Sequence, residues 1–157
     1  MIVRLSPHFT LDELTHTQVR GVDNTPDERQ VDLLRRLAGK VLEPLRLRFG
    51  PILITSGYRS PAVNKIIGGS WASAHMCEGD RAAADSIPLA RNVRWKDVIA
   101  FALDPDHGLP IDQIIYEYGR WLHIGTDAAE KCRRQALMTF KAGHYEKWNP
   151  DDPRVAR

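Results

Sequence analysis

Two cysteines, Cys77 and Cys132, are all that the 157 residues contain. Neither belongs to a CxxC pair, so a disulfide framework is excluded as the basis of the fold, and buried or spare thiols made in a reducing compartment are expected. Long apolar runs are missing too. No stretch approaches the roughly 18 residues that cross a membrane, and the opening Met1-Ile2-Val3-Arg4-Leu5-Ser6-Pro7 lacks the apolar core and cleavage site of a secretory signal. Synthesis in the cytosol and no stable membrane insertion are therefore expected. Repeats, low-complexity tracts and Pro/Gly/Ser-rich linkers are absent, which predicts one domain over residues 1–147. Charge of one sign is scarce: 22 basic against 20 acidic residues leave a formal +2, too little to suggest a nucleic-acid partner.

What is present suits a globular domain. A hydrophobic content of 43% with 27% charged residues is ordinary for one core, and a chain of this length buries roughly two thirds of its unfolded surface. Thr10, with Glu13 three residues on and Phe9 before it, predicts a capped first helix. Thr25 as cap, Pro26 at the first helical position and Glu28 reaching back predict a second, carried by Val31, Leu34, Ala38, Val41, Leu42 and Leu45 and kinked at Pro44. After Gly50-Pro51, Ile52-Leu53-Ile54-Thr55 reads as a buried strand, and Ser60-Pro61 opens a small helix that ends at Gly68-Gly69. Trp95 to Leu103 reads as a helix closed by Asp104-Pro105. Ile111 to Tyr118 and Trp121 to Ile124 read as strands paired around Gly119, with another strand near Ala136 to Phe140. The fold class is α+β. Residues 148–157 have little apolar content to anchor them and are expected to be partly mobile.

Chemistry concentrates in His75, Asp85 and His123. Two imidazoles and one carboxylate suit Zn²⁺ and leave one coordination position for a water whose pKa the metal lowers from 15.7 to about 7. Alone, each residue is weak testimony: a single histidine in a strand is commonly structural, and an Asp after alanines commonly a turn or cap.

Longer motifs surround these three. Phe9-Thr10-Leu11-Asp12-Glu13-Leu14, Asn24-Thr25-Pro26, Val41-Leu42-Glu43-Pro44-Leu45-Arg46, and Ser56-Gly57-Tyr58-Arg59-Ser60-Pro61 with Asn64 and Ile67-Gly68-Gly69 form successive blocks. Ser73, His75, Gly79, Ala83 or Ala84 and Asp85 follow, and then Trp121-Leu122-His123. Together these blocks resemble the D-Ala-D-Ala carboxypeptidase and L-Ala-D-Glu endopeptidase family of zinc peptidases, in particular its single-domain phage endolysin branch. The resemblance implies one zinc ion per chain, held by His75, Asp85 and His123 on a small antiparallel sheet packed against helices, with bacterial peptidoglycan as partner. The mildly basic charge is compatible with that anionic polymer. Arg59 is implied to hold a carboxylate of the stem peptide and to stabilise developing charge, with Tyr58 and Ser73 lining the same groove. An enzyme stored in the host cytoplasm as a monomer and later admitted to the wall fits the missing signal segment.

One departure is visible. The family places the Asp seven residues after the first His, whereas Asp85 stands ten after His75, so Asp80 is a rival ligand and Cys77 a softer one. The acidic residue common three positions before the last His is replaced by Arg120. Glu117 is then the candidate general base and Asp112 the second. Strand geometry makes a condition of this: a two-residue Gly119-Arg120 turn points Glu117 away from His123, while a three-residue Tyr118-Gly119-Arg120 turn puts both on one face. Other readings stand beside the endolysin: a bacterial D,D-carboxypeptidase or dipeptidase, and a zinc-stabilised domain that binds without turnover.

Overall fold

The computed structural model describes residues 2–128 and 131–155. Met1 and the last two residues of the expected mobile tail, 156–157, lie outside the described residues. The chain is α+β. A six-stranded sheet runs in the order β1-β2-β4-β3-β5-β6, with β1 at Ile52–Ser56, β2 at Arg81–Pro88, β3 at Gln113–Glu117, β4 at Trp121–Asp127, β5 at Gln135–Lys141 and β6 at His144–Lys147. Four of its pairings are antiparallel and β3 with β5 is parallel. The helices are α1 (Leu11–Thr15), α2 (Glu28–Leu37), α3 (Glu43–Phe49), α4 (Pro61–Ile66) and α5 (Trp95–Leu103).

Local chemistry sets the helix ends. Thr10 caps α1 and Glu13 returns the bond to the Thr10 N–H at 2.8 Å, as expected, with Phe9 and Leu14 both buried in the core. The cap of α2 is not Thr25. Asp23 captures the Thr25 N–H at 2.9 Å and its hydroxyl at 2.6 Å, so the helix starts two residues later, on an Asp27–Gln30 capping box. Pro44 lacks the N–H that would continue the helical ladder. The chain absorbs this with a π turn at Ala38–Leu42, where the Glu43 N–H reaches back to the Ala38 carbonyl.

Alternation along the strands divides the sheet into two faces. Ala82, Ala84, Ser86, Ile114, Tyr116, Leu122, Ile124 and Thr126 are buried on one, where α2 packs on β2. Asp85, Ile115, Glu117, Trp121, His123 and Gly125 share the other, and they line a cleft. The tail also makes contacts. The Trp148 N–H donates to the Ala136 carbonyl at 3.1 Å, its ring centroid is 5.6 Å from that of Tyr116, and Val155 packs against the core. No helix among the described residues is long and apolar enough to cross a membrane.

Candidate metal centre

Three separate elements bring the donors together. Asp85 on β2 and His123 on β4 are direct partners in the strand register, so their side chains leave the same face of the sheet. His75 comes from a 3₁₀ turn at Ala74–Met76, in which the His75 N–H donates to the Ser73 hydroxyl. The added residues between His75 and Asp85 fit because Cys77 turns the chain with φ 53° and Arg81 then starts β2.

The three donor atoms form a nearly equilateral triangle. His75 Nε2 lies 3.2 Å from Asp85 Oδ1 and 3.1 Å from His123 Nδ1, and His123 Nδ1 lies 3.1 Å from Asp85 Oδ1. Ligands at about 2.0–2.1 Å from a tetrahedral ion are separated by about 3.3 Å, so the triangle is close to one face of such a tetrahedron. Hydrogen bonding cannot satisfy it. The Gly57 carbonyl, 2.7 Å from His75 Nδ1, takes the proton there, which leaves Nε2 as a bare lone pair. That lone pair and the carboxylate oxygen then face His123 Nδ1, whose one proton serves only one of them. A cation resolves all three contacts.

Electrostatics agrees. Burial pushes the His75 imidazole towards its neutral, ligating form. Burial works to raise the Asp85 carboxyl, but His75 and His123 outweigh it and hold the group well below the usual carboxylate range. Arg59 steadies the same carboxylate: Nη2 donates to Asp85 Oδ2 at 2.8 Å, and Nε donates to Ser56 Oγ at 2.8 Å. The oxygen facing the triangle and the oxygen facing Arg59 are thus different atoms.

The rival ligands are elsewhere. Asp80 is exposed and pairs with Arg29 at 3.0 Å. Cys77 is buried in the core, and burial pushes its thiol up to about 12, far from the thiolate that binds metal. Cys132 is also a free thiol.

Glu117 meets the geometric condition. It pairs with Trp121, and Ile115 pairs with His123, so Glu117 lies on the His123 face, one pair further along. The odd-length turn is built by positive φ at both Tyr118 (56°) and Gly119 (69°), with the Arg120 N–H bonded to the Glu117 carbonyl at 2.9 Å. Burial raises the Glu117 carboxyl, with the His123 charge working against it. Asp112, also a cleft residue, is engaged: Arg133 donates to it through Nε at 3.0 Å and Nη2 at 2.7 Å. Burial works to raise Asp112, but these bonds prevail and lower it.

Ser73 and Arg59 line the cleft; Tyr58 does not. The Tyr58 side chain is 3% exposed within the core, because its N–H is pinned to the Leu14 carbonyl at 2.6 Å where α1 crosses β1. Leu137, Ala142, Gly143 and Tyr145 wall the cleft from the β5–β6 side. Leu137 falls in the strand expected near Ala136 to Phe140, but sequence reasoning missed β6, since His144–Lys147 is exposed throughout and carries no alternation to reveal a strand.

A mixed sheet with a His-Asp-His triangle at the floor of a cleft of about 720 Å³ has the makings of a metal-dependent hydrolase. The family model for peptidase M15 matches residues 7–125, and the chain belongs to that family. M15 peptidases are zinc metallopeptidases acting on peptidoglycan, and the match contains every donor of the triangle. No curated protein matches the chain.

Proposed function

We propose that the protein hydrolyses a peptide bond within peptidoglycan stem peptides, using one zinc ion held by His75 Nε2, Asp85 Oδ1 and His123 Nδ1. The observation that carries this reading is the donor triangle with sides of 3.1–3.2 Å, which proton sharing leaves unsatisfied. Zinc bound there supplies a Lewis acid for the scissile carbonyl and a water acidic enough to react near neutral pH.

The chain's own residues do the remainder. Glu117 takes a proton from the attacking water and returns it to the leaving amine, directly or through one further water. Its half-buried setting, which raises its proton affinity, suits both halves of that task. Arg59 orients Asp85 through Nη2. Its Nη1 makes no hydrogen bond among the described residues, and it is the donor offered to a substrate carboxylate or to charge developing on the carbonyl. Ser73 holds the turn that aims His75.

Cleavage inside a peptide, as opposed to trimming of a terminal residue, is favoured by the length of the cleft. The floor continues past the triangle in both directions, to Trp121 and Tyr118 at one end and to Gln113 and Arg81 at the other. A monomeric phage endolysin, made in the host cytoplasm and released onto the wall, is the biological role we propose. Mass spectrometry of fragments released from purified peptidoglycan tests the reading: new termini inside the stem peptide support it, loss of terminal D-Ala alone favours the carboxypeptidase, and zinc binding without release favours a non-catalytic domain.

A further inference from the structure

Arg81 is the first residue of β2, in the cleft-facing set with Ala83 and Asp85. Four residues at about 3.3 Å each put its Cα roughly 13 Å from that of Asp85. Between them Ala83 is fully buried, and its register partner Gly125 on β4 lines the cleft with no side chain at all. An extended peptide crossing the triangle has room to lie over it.

Arg81, at the end of this path, is a partly buried residue that lines the cleft. Among the described residues its hydrogen bond is from Nη1 to the Ala72 carbonyl at 3.2 Å, and it forms no ion pair. Arg133 beside it differs, since Asp112 occupies both Nε and Nη2 of that residue. Asp112 is near enough to Arg81 to be influenced by its charge but is committed to Arg133, and Asp127 stands opposite Arg81 in the strand register. A guanidinium on a partly buried residue, with Nε and Nη2 making no hydrogen bond among the described residues, fits a carboxylate supplied from outside.

We propose that Arg81 is a specificity subsite for a carboxylate of the bound stem peptide, lying roughly two to four residues along the peptide from the cleaved bond at about 3.3 Å per residue. This rests on the peptidase reading for the identity of the ligand. It makes the enzyme select peptides whose carboxylates are free over those in which the same groups are amidated.

The test uses the zinc-loaded full chain and a matched pair of stem peptides, one with free carboxylates and one with those groups as carboxamides. Each displaces a fluorescent stem peptide in a stopped-flow measurement read before turnover. The wild type is expected to favour the acid over the amide by about tenfold, a preference worth about 1.4 kcal/mol. Arg81→Gln is expected to abolish the preference and Arg81→Lys to keep part of it. Equal binding of the two peptides by the wild type, or an undiminished preference in Arg81→Gln, overturns the subsite. A preference for the acid in a wild type that cleaves neither peptide supports the subsite and sinks the peptidase reading instead.

Discussion

At the residue scale, the clustering of His75, Asp85 and His123 was legible in the sequence because only a few side-chain types ligate metal, and the motif blocks narrowed the choice. Their supports were not. Nothing in Ser56-Gly57-Tyr58-Arg59 says that Gly57 takes the His75 proton through its carbonyl, that Arg59 holds Asp85, or that Tyr58 faces the core. These follow from how α1 crosses β1, a tertiary fact. Because Arg59 holds the Asp85 carboxylate through Nη2 while its Nε is tied to the Ser56 hydroxyl, an arrangement a single ammonium cannot reproduce, Arg59→Lys is expected to weaken zinc binding about 10- to 100-fold as well as slowing turnover. Competition with a chelator measures the first effect, and unchanged affinity with slowed turnover would return Arg59 to substrate contact alone. Glu117 makes a pH prediction. A base must be ionised, so kcat/KM falls as pH drops through the pKa of Glu117, which burial lifts above the ordinary 4.5. Glu117→Gln should keep zinc and fold and lose at least about 10²-fold in kcat, and a fully active variant would reject the role.

At the scale of elements, the helix α5 was readable to its ends, since Trp95 to Leu103 is an uninterrupted helical pattern closed by Asp104-Pro105. The start of α2 was not, because Thr25 and Asp27 are both good caps and only the Asp23 contact decides between them. The strand β2 was hidden by its alanines. They are poor strand formers by composition, yet Ala82 and Ala84 are fully buried on the face where α2 packs on the sheet. The turn after β3 could be posed as two alternatives and no further, since local sequence permits both registers and the face of Glu117 depends on the difference. One contact between elements gives a sharp test. A Cβ on Gly57 would come within 2.3 Å of the Leu14 carbonyl oxygen, so α1 must move away from β1 to admit it. Gly57→Ala is expected to cost about 2 kcal/mol, or roughly 4–8 °C in Tm, and to lower zinc affinity through the displaced Gly57 carbonyl. A variant with wild-type melting and wild-type zinc affinity would show that this crossing does not brace the site.

At the scale of the whole molecule, the sheet works as a plate with two duties. One face buries the core that α2, α3 and α5 complete, while the other aligns Arg81, Asp85, His123 and Glu117 along a single cleft. The class of this architecture was legible from sequence, but its closure was not. β5, paired in parallel with β3, and the exposed β6 wall one side of the cleft, and β5 and β6 lie beyond the residues matched to the family. The central claim is the metal triangle, and anomalous diffraction at the zinc absorption edge from crystals grown with zinc tests it most directly. The account predicts one peak per chain within about 2.0–2.2 Å of His75 Nε2, Asp85 Oδ1 and His123 Nδ1. A peak at Asp80 or Cys77, or none inside the triangle, would contradict it.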